Sequence, residues 1–423
     1  MLKDARGLDI TTDSNVAVAA INKYMEQCLC YGNRAESSIL AAVAADPKSL
    51  LANTFAAAYY LTQENTTAAQ HAISYLHKAR NHFAQATERE KLHFLATEEW
   101  ANRKIDRAIA YCEEIVVRYP QDLLAVQQGQ YHYFYLGNKS GLTCIAGSVL
   151  DFNAGNHYLL GMLAFGLEQS DRLDEAERLA RFALDINRAD PWAQHAVAHV
   201  METQGRYQEG ITWLESFTDT WDNCNSMLYT HNWWHLALFY LSQGEINRVL
   251  YIYDRHVWGK ARKSTPKDQV GAISLLLRLE LLGINVGERW HEIEPYLRDR
   301  IHEHALPFQD LHYIYALARA NRLDFAREML FSMEDYAYRV QPCLQKTWQE
   351  VALPAARGLI AYAIYDWKKA VKELKPLLHR LHEVGGSNTQ RKLFVQIYQD
   401  AHREGLIQQD RYSRYHHSQA IAS

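Results

Sequence analysis

The chain has little of what breaks helices: nine prolines and twenty glycines in 423 residues. With Ala, Leu, Glu, Gln and Arg abundant, that scarcity favours helix along most of the length. Alternating apolar runs are nearly absent, which excludes all-β classes. Cys28, Cys30, Cys112, Cys144, Cys224 and Cys343 lack any framework spacing, which excludes a disulfide scaffold and suits a reducing, cytoplasmic location. No sign of charge dominates. A formal net charge of −4 gives no field to gather nucleic acid or an anionic membrane surface. The apolar run Ser274-Leu275-Leu276-Leu277 stops at Arg278, well short of a membrane span. The start, Met1-Leu2-Lys3-Asp4-Ala5-Arg6, is charged and reads as no signal peptide. Nucleophile elbow, dinucleotide fingerprint and paired CxxC motifs are all missing. The Gly385-Gly386-Ser387-Asn388 stretch lacks the strand-loop-helix setting of a phosphate loop and reads as a capped turn.

What the chain does have is repetition. Arg172-Leu173-Asp174-Glu175-Ala176 and Arg206-Tyr207-Gln208-Glu209-Gly210 stand 34 residues apart, and Lys104-Ile105-Asp106-Arg107-Ala108 precedes the first by 68. That is the period of the tetratricopeptide repeat (TPR), a helix-turn-helix unit. Looser copies at Gln243-Gly244-Glu245, Asn321-Arg322-Leu323-Asp324 and Tyr365-Asp366-Trp367 drift towards spacings of 39 and 44. The fold expected is all-α: a TPR-like right-handed α-solenoid of stacked helix pairs, each burying its neighbour's apolar face. No Gly/Ser-rich linker divides the chain. One superhelical domain is expected over 1–423, with a cap at 1–45, regular repeats at 46–255, longer irregular ones at 256–410 and a frayed tail at 411–423. Residues 137–157 and 256–268 read as loops.

Twenty histidines, twenty-six tyrosines and ten tryptophans suit a pocket that is apolar yet hydrogen-bonds its ligand, and equally suit the filling of inter-helix surface. The histidines are not scattered. His195 and His199, and His231 and His235, stand four apart, so each pair shares one helix face. Setting Gly205 at position 15 of its repeat puts His195 at position 5, His199 at 9 and Glu202 at 12, all groove-facing in a tetratricopeptide repeat. In the next repeat His231, Trp234 and His235 fall at 2, 5 and 6, with Trp233 at a packing position. In the preceding repeat Gly161 and Phe165 fall at 5 and 9.

Three readings stay open for this cluster. The four imidazoles are candidate ligands for a first-row divalent ion, zinc or iron. Without a metal, His195, His199, His231 and His235 could act as acid and base, with Glu202 orienting them. Alternatively, they line a groove that binds a peptide, and the protein is a non-catalytic interaction scaffold. The candidate catalytic set is thus the four histidines with Glu202, and the expected ligand is a small molecule or short peptide. Further candidate ligand contacts are Phe165, Trp234, Asp254 and the groove-facing His312 with Asp310. His302-Glu303-His304 and His416-His417 are expected to face solvent. Neither the reaction nor the oligomeric state can be read from these patterns.

The segments His195-to-Leu214, His231-to-Asp254 and Phe308-to-His312 resemble the tetratricopeptide repeat protein 38 family. So do Gly161-to-Glu168, Gly287-to-Trp290, Leu353-Pro354 with Arg357, and Gly385-Gly386-Ser387 with Gln390-Arg391. The resemblance is densest from about residue 155 to 395. It implies a TPR-like solenoid and a soluble cytoplasmic protein, without a settled activity or cofactor. It also implies that Asn232, Gln390 and Arg391 belong with the polar set. The chain departs from the family at Gly271 and Leu277, and at Asn388 and Lys392, where the family carries a His and an acid.

Overall fold

The computed structural model describes residues 1–421, with side chains through 409. It is a stack of antiparallel helix pairs joined by tight turns, the TPR-like arrangement expected. By its internal contacts the chain divides into two compact units, Met1–Ala272 and Ile273–Ser423. The border falls inside one continuous helix, Pro266–Leu281, which carries none of the linker composition by which a boundary is recognised.

In the first unit a two-stranded hairpin, β1 (Leu2–Lys3) with β2 (Asp9–Ile10), leads into seven helix pairs. They are α1 (Asn15–Leu29) with α2 (Ala35–Ala45), α3 (Leu50–Leu61) with α4 (Thr66–Arg80), and α5 (Glu88–Ala101) with α6 (Ile105–Arg118). Next come α7 (Leu123–Tyr135) with α8 (Lys139–Gly147), and α9 (His157–Gln169) with α10 (Leu173–Ile186). The last are α11 (Pro191–Thr203) with α12 (Tyr207–Glu215), and α13 (Ser226–Ser242) with α14 (Ile246–Ile252). The helix α15 (Pro266–Leu281) follows. In the second unit α16 (Arg289–Ile293) precedes α17 (Pro307–Arg319) with α18 (Leu323–Arg339). After α19 (Pro342–Thr347), α20 (Leu353–Ala363) pairs with α21 (Trp367–Leu374), and α22 (Asn388–Ile421) ends the chain. The tail expected at 411–423 lies outside the residues whose side chains are described.

The turn inside each pair carries one residue in the left-handed region, which lets the chain reverse while capping the first helix. These residues include Gly137, Asp171 and Gly205, 34 apart, then Gly244 after 39. In the second unit Asn321 and Tyr365 are 44 apart. The drift in period is therefore real lengthening of the repeat. Second helices are strongly amphipathic: α10 buries Ala176, Ala180, Ala183 and Leu184 and exposes its charges, the stripe a stacked pair requires. Two expected loops are partly helical. Residues 137–157 contain α8 and a 3-10 turn, Leu150–Phe152, and 256–268 opens within the π-helical turn Tyr253–Val257. Helix α8 (KSGLTCIAG) has poor intrinsic propensity, and packing on α7 and α9 overrides it.

The first helices α7, α9 and α11 do not line an open groove. Glu26, at the end of α1, accepts from Tyr158 OH at 2.7 Å, and the Cys28 carbonyl accepts from Gln127 Nε2 at 3.0 Å. The α1–α2 turn reaches α13: Asn33 N donates to the Asn223 carbonyl at 3.0 Å and Asn225 N to the Tyr31 carbonyl at 2.6 Å. The preceding hairpin is locked by buried charge, with Arg89 on Asp4 (2.9 Å) and on Asp122 (2.6 Å). The amino-terminal segment thus lies across the inner helices of its own unit.

Candidate metal centre

Helices α11 and α13 begin with strong caps. Asp190 accepts from Trp192 N and Ala193 N at 3.0 and 3.1 Å with Pro191 in the first turn, and Asn225 accepts from Leu228 N at 2.9 Å. These caps fix where each helix starts and therefore which face carries its histidines.

The two faces meet. His199 Nε2 and His231 Nε2 each stand 3.0 Å from His195 Nε2, and His235 Nε2 stands 3.2 Å from His231 Nε2. The four ligand atoms all lie within 4.8 Å of one another. For metal–nitrogen bonds of ~2.0 Å, neighbouring ligands stand ~3.3 Å apart in a tetrahedron and ~2.9 Å apart at right angles. The observed contacts fall between those limits. His195, His199 and His235 are buried, and His231 is half-buried and nearest to solvent. Burial, with neighbouring imidazoles, holds His195 well below its ordinary pKa and brings His231 down to about 3. Both rings are therefore neutral near pH 7, the state in which an imidazole donates a lone pair to a metal.

Carboxylates stand behind two of the rings. Glu168 Oε2 lies 3.5 Å from His199 Nδ1, and Glu202 Oε2 lies 3.4 Å from His235 Nδ1. Each acid faces a histidine of the following repeat. Glu168 is fully buried, and its Oε1 has no hydrogen-bond partner. A buried carboxylate beside the imidazoles is a setting in which a cation would be favoured. Carboxylate–histidine pairs of this kind fix the tautomer of metal-binding rings. Glu168 was not among the residues singled out in the sequence, although it precedes Glu202 by one 34-residue period and so occupies the same repeat position. That equivalence was the available signal.

Aromatic rings enclose the cluster. Trp192 stacks on His195 with centroids 4.6 Å apart, and Tyr31 stacks on Trp192 at 4.7 Å. Phe165 stands 5.6 Å from both His195 and His199, and Trp234 stacks on His231 at 5.2 Å. The indole Nε1 of Trp192 is buried without a hydrogen-bond partner. Trp233 turns away and stacks on His256 at 3.6 Å. Asn232 is buried, its amide 3.5 Å from the Pro191 carbonyl. Of the expected site residues, His195, His199, His231, His235, Glu202, Phe165 and Trp234 come together.

The others stand elsewhere. Asp254 is exposed on the π-helical turn after α14. Asp310, His312, Gln390 and Arg391 belong to the second unit. There Asp310 pairs with His304 at 2.6 Å, and His312 donates from Nδ1 to the Phe308 carbonyl at 2.7 Å, its pKa lowered to about 4 by burial. Gln390 and Ser387 form a reciprocal cap at the start of α22, with Ser387 N donating to Gln390 Oε1 at 2.9 Å and Gln390 N to Ser387 Oγ at 3.2 Å. Arg391 donates to Asn388 Oδ1 at 2.7 Å. The glycine-rich stretch is thus a capped turn, as its composition implied. His304 departs from expectation: it is buried, while His302 is exposed. The carboxylate of Asp310 draws the His304 ring inward.

Among the described residues, no helix is long and apolar enough to cross a membrane. No protein-family model matches the chain. Among solved structures, the chain is similar to Cut9 in the APC/C hetero-tetramer Cut9-Hcn1 (TM-score 0.42, 11% identity, 93% of this chain and 79% of that one). It is also similar to human IFIT1 in a dimer with m7Gppp-AAAA (TM-score 0.39, 15% identity, 94% and 96%). A third likeness is to the TPR domain of P58(IPK) (TM-score 0.21, 11% identity, 77% and 99%). At such scores likeness alone carries no argument, and the helix pairs and their turns are what make this chain a TPR-like helical-repeat protein.

Proposed function

We propose that the chain is a TPR-like protein with a buried divalent metal centre, held by His195, His199, His231 and His235 and oriented by Glu168 and Glu202. The ion is a first-row metal suited to imidazole, zinc or iron. A small molecule or short peptide end binds beside it in the first unit and undergoes metal-assisted chemistry. An ion held there would supply Lewis-acid polarisation of a carbonyl or lower the pKa of a bound water, and Trp192, Phe165 and Trp234 form the apolar walls. The convergence of four Nε2 atoms, with a buried unpaired carboxylate oxygen behind them, carries this reading.

The alternative is a non-catalytic TPR interaction scaffold, with which the helical-repeat fold is equally consistent; the end of α1 and the α1–α2 turn lie against the inner helices, which favours an enclosed pocket. The resemblance to the tetratricopeptide repeat protein 38 family rests on the same histidine segments, and we propose kinship on that basis. Among the described residues no cysteine is joined in a disulfide, which suits the cytoplasm proposed for it.

Elemental analysis of tag-free protein tests the centre. The expected result is about one equivalent of zinc or iron per chain, lost in a folded His195→Ala/His199→Ala double variant. Protein that is metal-free and takes up neither added Zn²⁺ nor Fe²⁺ would overturn the proposal.

A further inference from the structure

The second unit holds a line of polar groups that the metal centre does not use. On α18 the half-buried Ser332 Oγ lies 2.8 Å from His304 Nε2 and 2.9 Å from His302 Nδ1. The far nitrogen of each ring faces an acid: His304 Nδ1 stands 2.6 Å from Asp310 Oδ2, and His302 Nε2 stands 3.1 Å from Glu328 Oε1. One hydroxyl is therefore flanked by two imidazoles, each backed by a carboxylate.

Proton counting separates the two rings. Buried Asp310 holds an N–H on His304 Nδ1, so that ring presents its Nε2 lone pair to Ser332. The hydroxyl has one proton and can satisfy one lone pair. The second contact therefore needs a ring that donates to Oγ. The His302 side chain is 65% exposed, so its outer nitrogen is served by water and its Nδ1–H is the donor, whereas His304 is 2% exposed. His304 is the acceptor, held by buried Asp310; His302 is the donor.

The backbone at His304 is unusual as well. Seven non-glycine residues of the described chain have positive φ, and six of them sit in the turns between paired helices. His304, at φ +46°, is the exception. Left-handed backbone at a non-glycine residue is strained and collects at functional sites. Here Tyr336 and Trp348, with ring centroids 5.1 and 6.0 Å away, pack the ring in place.

We propose that Ser332, His304 and Asp310 form a nucleophile–base–orienter set that cleaves activated acyl esters, with His302 as the oxyanion donor. Ser332 Oγ attacks the ester carbonyl carbon and passes its proton to His304 Nε2. His302 donates a hydrogen bond to the developing oxyanion, a role side-chain donors can fill. As the carbonyl reforms, the bond to the leaving alkoxide breaks and the alkoxide takes the proton from His304. Water, deprotonated by His304, then attacks the acyl-serine, giving the free acid and restoring Ser332. Phe331 and Tyr338, both exposed on α18, offer apolar surface for a short acyl chain.

The test treats the full-length protein with a fluorophosphonate, which phosphonylates a nucleophilic serine and releases fluoride, and follows hydrolysis of p-nitrophenyl butyrate in parallel. The expected result is one adduct, mapped to Ser332 by peptide mass spectrometry, absent in Ser332→Ala and formed at least ~10²-fold more slowly in His304→Gln. EDTA leaves the rate unchanged, which separates this site from the metal centre. Absence of a wild-type adduct, an adduct at another residue, or undiminished labelling in His304→Gln would overturn the proposal. Should His304→Gln fail to fold, the exposed His302→Gln variant decides: slower labelling and turnover support the set, and wild-type rates refute it.

Discussion

Replacing Glu168 by Gln should weaken metal binding while making the metal-free protein more stable. The two signs follow from one carboxylate. Its Oε2 lies 3.5 Å behind His199 Nδ1, which puts it roughly 6 Å or more from an ion bound at Nε2. At an effective dielectric constant of about 20, a single negative charge and a divalent ion at ~6 Å attract by up to about 5 kcal/mol. The measurable loss is smaller, because glutamine retains a dipole and still orients the ring. Second-shell substitutions usually cost 10- to 100-fold in affinity, about 1.4–2.8 kcal/mol. Without metal the balance reverses. A fully buried carboxylate with an unpartnered oxygen is unfavourable, and an amide of the same shape relieves on the order of 1–3 kcal/mol. Chelator competition for Zn²⁺ measures the first effect, and thermal melts with and without EDTA measure the second. Unchanged affinity in Glu168→Gln, or a metal-free melting temperature that falls, would refute this account of the centre's electrostatics.

Other outcomes are equally definite. Tyr31 stacks on Trp192 and touches no ligand atom, so Tyr31→Ala should speed metal loss to excess chelator several-fold with little change in equilibrium affinity; stopped-flow release and equilibrium competition separate the two. His132 is buried against Trp100, and burial lowers its pKa to about 3. The unfolded ring binds a proton near 6.5 and the folded one does not. Its stabilising contribution is thus complete above pH 6.5 and lost as pH falls towards 3, so His132→Phe should move acid unfolding, followed by circular dichroism, to lower pH. Gly205 holds φ +72° in the turn between α11 and α12, so Gly205→Ala should cost about 1–2 kcal/mol in chemical denaturation. Arg89 neutralises Asp4 and Asp122 in the interior, so Arg89→Met, which removes the guanidinium shared by two buried acids and leaves Asp122 only His93 as a side-chain ion partner, should destabilise by about 3–5 kcal/mol.

How much of this was legible in sequence varies with the range of the interaction. The 34-residue spacing of Asp171 and Gly205 and the four-residue spacing of the histidines are local, because a helix converts intervals into faces without help from distant residues. Glu168 was legible in principle, through its one-period offset from Glu202, and was passed over because its own repeat offered only Gly161 and Phe165. Helix α8 was hidden behind a loop-like composition. A glycine on its neighbour lets it pack closely: a Cβ at Gly166 of α9 would stand 2.9 Å from the Thr143 backbone of α8. Ser332 carries no signal at all. It lies 28 residues from His304 with no period linking them, on a helix whose pattern reads as a solvated surface.

Local periodicity thus determined the helix pairs, the lengthening of the repeat, and the faces on which His195, His199, His231 and His235 stand. Only tertiary structure decided which neighbour each face meets. It laid the amino-terminal segment across the inner helices, set Glu168 and Glu202 behind rings of the following repeat, and brought Ser332 between two imidazoles. The physical reason is that backbone geometry repeats along a chain, whereas burial, charge balance and proton sharing exist only between groups that folding has brought into contact.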